Sequence, residues 1–303
     1  MVWFVALLPV FFSSLAVGRA ASVEKALSAV ERARELVLSS DRTEAIRIFR
    51  ELHTLGKLTR EQQKAWEEIA AIFISDKGQN QYSLADSYWF ARPKDAIELL
   101  VATAKLEDGN LLISILAARA ALRLQECGRA DAFTEQAEQT FPLSMEVKLL
   151  RLQVQDCQNG GNASLPPLRV PMDVEWGPLD SAVRLLLVRD ASRRRDWKAV
   201  RAGLTAWETQ AAEDPEFWFW KWRLVDASRV GTRSDTGVLR DSNRVDDSLR
   251  DRSAGRKYLR YCAELTPRRR KKLAIHPRLC SQTEVVEADI KAHERAIEKS
   301  GGA

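Results

Sequence analysis

The chain has 303 residues, 45% apolar and 29% charged, the balance of a soluble globular protein long enough to bury a core of its own. Its 14 Gly and 10 Pro are too few for a fibrous or disordered chain. The net charge of +5 is uneven: residues 21–160 carry 18 Lys and Arg against 21 Asp and Glu, residues 161–303 carry 28 against 21, and 254–280 hold nine basic side chains against Glu264 alone. Such a field suits an acidic partner, an anionic polymer or a lipid head-group surface.

Residues 1–18 (MVWFVALLPVFFSSLAVG) contain no charged side chain. The most apolar part, Val2–Phe12, has the length of a signal-peptide core and is too short to span a bilayer. Gly18-Arg19-Ala20 places small residues at −3 and −1 for cleavage after Ala20. This predicts a signal peptide over 1–20 and a periplasmic or secreted protein. The n-region lacks Lys and Arg, so the alternative is a membrane anchor formed by residues 1–18.

The mature chain reads as helix nearly throughout. Apolar residues from Val23 to Leu38 follow i, i+3, i+4, i+7 spacing. Asp41 with Glu44 and Thr59 with Gln62 have the spacing of capping boxes that open helices. Asp76–Asn80 reads as a loop, followed by helices over 81–91 and 93–105. Asp108-Gly109-Asn110 is a break. A strongly apolar helix over 111–126 is expected to end at Cys127-Gly128, with a partner over 129–140 and another helix over 144–155. Residues 158–178, rich in Gly, Asn and Pro, form a linker, and contain an Asn162-Ala-Ser164 glycosylation pattern. Helices resume over 179–194, 197–210 and 214–230. Residues 231–252 are polar and aperiodic, and read as a flexible loop. The tail carries helices over 254–265 and 281–299. The expected domains are therefore 21–157, 179–230 and a basic helical cap over 253–303.

Four cysteines, Cys127, Cys157, Cys262 and Cys280, allow three disulfide pairings. Joining Cys127 to Cys157 and Cys262 to Cys280 is the most economical, since each closes a local loop. A metal alternative would use Cys262, His276, Cys280 and His293, without the paired spacing of zinc sites. No metal or other cofactor is expected.

Two clusters are candidate binding features. Glu216-Phe-Trp-Phe-Trp-Lys-Trp222 places Trp218 and Trp222 on one helical face, with Trp220 on another. Such a helix is buried between neighbours or offers an aromatic platform for a glycan or peptide. The basic run Arg268, Arg269, Arg270, Lys271 and Lys272 is reinforced by Arg256, Lys257, Arg260 and Arg278. No nucleophile elbow, metalloprotease helix or nucleotide-binding glycine loop occurs, so no enzyme activity is expected.

Helices of this length in antiparallel pairs, with a period near 34 residues, carry a further pattern. Around 110–142, Ala118, Ala130, Ala137 and Pro142 fall where tetratricopeptide repeats place small residues and a terminal proline. Ala33, Ala45 and Phe49 match around 26–58, with Lys57 at the proline position. Ala191, Trp207 and Pro215 match around 184–215, with Gly203 for an alanine. Residues 22–230 thus resemble degenerate tetratricopeptide repeats. The resemblance implies an all-α fold of antiparallel hairpins, stacked as a right-handed α-solenoid and closed by a disulfide-bonded C-terminal helical cap. It also implies a protein–protein interaction scaffold, with envelope proteins as partners and an anionic lipid or glycan surface as a further one. Nucleic acid is not expected as a partner of an exported chain. The alternatives are a glycan- or peptidoglycan-binding module using the tryptophans and a murein-cleaving enzyme with a superhelical arm.

Overall fold

A computed structural model describes residues 29–39, 41–54, 59–160, 166–170, 175–209, 211–223, 252–266, 276 and 278–300. The signal segment 1–20, the Asn162 glycosylation pattern, residues 231–251 of the expected loop 231–252 and the run Arg268–Lys272 lie outside the described residues, while Arg252, the last residue of that expected loop, is helical.

The described residues are helical, with no strand among them. Residues 29–38 are helical. Then follow α1 (Arg42–Thr54), α2 (Arg60–Ala70), α3 (Asp76–Tyr88), α4 (Pro93–Ala104), α5 (Leu111–Arg123), α6 (Cys127–Thr140) and α7 (Met145–Asn159). A 3-10 turn over Gly177–Leu179 leads into α8 (Asp180–Arg193), α9 (Trp197–Glu208), α10 (Pro215–Arg223), α11 (Arg252–Ala263) and α12 (Thr283–Ser300). The chain forms two compact units. The first is Met1–Ala120 with Asp131–Lys148, and the second is Ala121–Ala130 with Leu149–Ala303. The division falls at 149 rather than at the 158–178 linker. Leu168 and Trp176 within that linker are buried. The expected C-terminal cap shares one apolar core with α8, α9 and α10.

Local sequence explains most helix starts. The amide of Glu44 donates to Asp41 Oδ1 at 3.2 Å. Thr59 and Gln62 form the full capping box, with each side chain accepting from the other's backbone. Two boundaries differ from the sequence expectation. Cys127 and Gly128 open α6 instead of ending α5, because Gln125 takes the left-handed turn (φ 62°) between the helices. The expected loop at 76–80 is the first turn of α3. Its start is fixed by a distant carboxylate: Glu107 accepts from the amides of Ile74 and Ser75 at 2.8 and 2.9 Å, and from Ser75 Oγ at 2.7 Å. The guanidinium of Arg42 faces the same carboxylate at 3.5 Å, and donates to the carbonyls of Ala70 and Ile72 at 3.2 and 2.6 Å. Both side chains are buried.

This contact explains a glycine inside a helix. A Cβ on Gly78 would lie 2.4–2.8 Å from three atoms of the Glu107 side chain. Gly78→Ala is expected to destabilise the protein by about 1–3 kcal/mol through overpacking. Gly128, with nothing within 4 Å of the same position, is the control: Gly128→Ala is expected to be neutral or to stabilise by up to ~1 kcal/mol. Urea unfolding of the two variants checks this, and equal behaviour would count against the close packing.

The first unit is centred on Phe49, stacked on Trp66 at 4.5 Å between ring centroids and tilted against Phe141 at 5.2 Å. In the second unit α8 packs on α9, α10 on α11 and α11 on α12. Trp207, Phe217, Phe219, Trp220, Trp222, Tyr258, Val286 and Ile290 fill the space between them.

Candidate functional site

The site is built on α10 and α11. Pro215 at the first position of α10, after Asp214, starts a helix whose side chains are apolar nearly all round. The amide of Glu216 donates to Asp214 Oδ1 at 3.0 Å. An all-round apolar helix must be covered on several sides, and Trp220 and Trp222 are accordingly only 5% and 3% exposed. Trp222 Nε1 donates to Asp289 Oδ2 at 3.0 Å. These two indoles belong to the core and are not available as an exposed platform.

Trp218 differs. It is half-buried, and its Nε1 donates to the Ala212 carbonyl at 2.9 Å. Lys257 from α11 places its ammonium 4.0 Å from the Trp218 ring centroid, and Lys221 lies 5.5 Å from the same ring. Cations at these distances are held by the negative face of the indole. Lys221 is also paired with Glu208, and Arg256 with Glu294 at 3.0 Å. Arg260 stacks on Tyr261 at 5.0 Å. Arg256, Lys257 and Arg260 are exposed, so α11 presents a cationic face whose edge meets Trp218. The aromatic and basic clusters, separate in sequence, thus meet through Trp218 and Lys257. Arg278 does not share this face: it lines a small pocket.

Both disulfides are formed in the local pairing, Cys127–Cys157 and Cys262–Cys280. All four cysteines are therefore bonded, which suits an oxidising, non-cytoplasmic compartment. It also takes both sulfurs out of the four-ligand metal alternative. No helix among the described residues is long and apolar enough to cross a membrane.

The same unit holds a buried polar network whose members are far apart in sequence. Asp214 Oδ2 accepts from Ser181 Oγ at 2.8 Å and faces His276 Nε2 at 3.1 Å. Ser181 in turn accepts from Trp207 Nε1 at 2.9 Å. Glu216 Oε1 accepts from the Cys280 amide at 3.0 Å. Burial pushes the Glu216 carboxyl up to about 7, against an opposing pull from His276. For Asp214, burial raises the pKa, but His276, Ser181 and the Glu216 amide outweigh it and hold the carboxyl below its usual range. For His276, burial favours the neutral ring, but Asp214 and Glu216 prevail and raise its pKa. The signal for this network is Asp214-Pro-Glu216 directly before an all-apolar helix. Carboxylates in the first turn of a buried helix are carried inside with it, and they then need partners.

Comparison with protein-family models, with characterised proteins and with solved structures finds no match to this chain, so its functional reading rests on its own sequence and geometry.

Proposed function

We propose that the protein is an exported interaction scaffold of the cell envelope that holds an anionic partner on the exposed face of α11. The observation that carries this reading is the junction of Lys257 with Trp218, beside Arg256 and Arg260. An aromatic edge flanked by cations gives stacking and charge at one place, a combination suited to acidic protein segments, anionic glycans or head groups. The Cys262–Cys280 disulfide ties α11 to the start of the α12 region and supports a fixed surface. The uncharged segment 1–18 and the complete pairing of the cysteines support export, with cleavage after Ala20. Burial of Ala33, Ala45, Ala118, Ala130, Ala137 and Ala191, none more than 3% exposed, supports tetratricopeptide-like hairpins, stacked as a solenoid. Small residues at those positions let helices approach closely.

Crosslinking of the exported protein in its own host tests the partner face. The triple variant Arg256→Gln, Lys257→Gln, Arg260→Gln is expected to lose a crosslinked partner that wild type retains, and wild-type capture is expected to weaken in high salt. An unchanged set of partners would refute the cationic face. Intact mass of the exported form tests localisation: a chain starting at Ala21, heavier by four hydrogens after reduction, is the expected result. A full-length chain would favour the anchor.

A further inference from the structure

The second unit carries a small, partly open pocket of about 30 Å³, lined by Leu122, Ala182, Leu185 and Leu186 and by the polar side chains Gln153, Asp156, Arg189, Glu216, His276 and Arg278. Cys157 also lines it. The pocket therefore lies beside one disulfide, and the amide of Cys280, part of the other, donates to Glu216.

His276 is the unusual member of this lining. Its ring is 1% exposed. Nε2 faces Asp214, which fixes the ring and leaves Nδ1 as the remaining polar atom. Among the described residues, Nδ1 meets no hydrogen-bonding group of the protein. A buried ring nitrogen, whether protonated or not, carries a free-energy penalty unless it is hydrogen-bonded.

The charges of the lining say what suits it. Asp156 pairs with Arg189 at 2.8 Å, and both reach the pocket with Glu216 and Arg278. An anion here would face the Asp156 carboxylate, already paired with Arg189, and a cation would face two guanidinium groups and the His276 ring. A neutral molecule that both donates and accepts meets neither conflict. The volume accommodates about one or two water molecules, and the polar groups at its lining supply the two to four partners that a bound water needs.

We infer that this pocket is a solvent site, binding ordered water that hydrogen-bonds to His276 Nδ1 and links the ring to Glu216 and to the Asp156–Arg189 pair. The water stands as a structural ligand joining α7, α8, α10 and the side chains of His276 and Arg278. The site is independent of the proposed partner face, since Arg256, Lys257 and Arg260 do not line it.

The test is a substitution that fills the pocket. Ala182 is 1% exposed and lines it. In the oxidised full chain, Ala182→Val is expected to lower stability and to remove about one or two long-lived waters from the oxygen-17 magnetic relaxation dispersion. A dry void would respond oppositely: filling it would raise stability and leave the water signal unchanged, and that result would overturn the site. Leu122→Ala covers the case in which Ala182→Val does not fold. It enlarges the pocket, and the expected result is a larger long-lived water signal than wild type. Xenon uptake without any rise in that signal would equally overturn the proposal.

Discussion

Replacing Glu107 by Ala is expected to destabilise the protein by about 3–5 kcal/mol, the range found when one partner of a buried ion pair is removed. The change removes the acceptor of two backbone amides and one hydroxyl at the start of α3. It also leaves Arg42, whose pKa burial already lowers, without its carboxylate. Arg42 keeps its bonds to the carbonyls of Ala70 and Ile72, so a buried cation remains without its paired carboxylate and with only the weaker attraction of Asp108. The carboxylate also favours the α3 N-terminus through the helix dipole. Glu107→Gln retains the shape and one acceptor oxygen, and is expected to fall between wild type and Glu107→Ala. Urea titrations followed by circular dichroism check both variants. A loss below about 1 kcal/mol for Glu107→Ala, the size of an ordinary surface change, would mean that this pair does not hold α3 in place.

The second large effect is on the pH dependence of stability. In the fold the Glu216 carboxyl holds its proton up to about pH 7, against an ordinary value of 4.5. Below the ordinary value the group is protonated in both states and has no effect. Between the two values the unfolded chain ionises first, which favours unfolding. Above about 7 the loss is complete, at roughly 3 kcal/mol from about 1.4 kcal/mol per unit of pKa difference. His276 acts in the same direction. Its pKa is raised by Asp214 and Glu216 against the effect of burial, so its contribution is present below 6.5 and is lost as pH rises through the folded value. Asp156, raised by burial, adds to the same trend. Asp214 opposes it and sets the acid limit, because its lowered pKa contributes stability above 3.8 that is lost on further acidification. Tyr258, raised by burial, and Arg278, a guanidinium beside Asp156 and Glu216, do not titrate in this window. The oxidised protein is therefore expected to be more stable at pH 5.5 than at pH 8. Glu216→Gln, which keeps an acceptor for the Cys280 amide, is expected to remove about 2 kcal/mol of that difference, because the unfolded chain is already ionised at pH 5.5. Unfolding measured at both pH values reads the slope directly, so any pH-independent cost of the amide drops out. An unaltered slope in the variant would show that Glu216 is not the titrating group.

Such a protein would hold its disulfide-closed C-terminal region most firmly in mildly acidic surroundings. The effect arises from burial and needs no conformational switch. It is also separable from partner binding on α11, whose exposed basic groups do not line this network.

How much of this was legible in the sequence differs between helices and site. Helix type was legible because apolar periodicity and caps are local. Thr59 and Gln62 are three residues apart, and their reciprocal bonds follow from that spacing. The disulfide pairing was legible because each loop is short, and loop closure favours near partners. Where a local signal was ambiguous, tertiary contact decided. Asp76–Asn80 contains Gly78 and reads as a loop, yet it is helical because Glu107 caps it from across the unit and needs the missing Cβ. The three tryptophans of α10 are alike in sequence, but Trp218 meets Lys257 while Trp220 and Trp222 are buried in the core, Trp222 bonded to Asp289 of α12.

By itself, then, the sequence determined a helical chain with two local disulfides, an apolar N-terminal segment and a basic C-terminal half, since periodicity, spacing and charge are properties of neighbouring residues. Only the tertiary structure decided that Trp220 and Trp222 are core, that Arg278 faces inward, and that Asp214, Glu216 and His276 form one buried network. The reason is physical: burial is set by what packs against a side chain, and Asp214 and His276, 62 residues apart, meet only when the helices between them have folded.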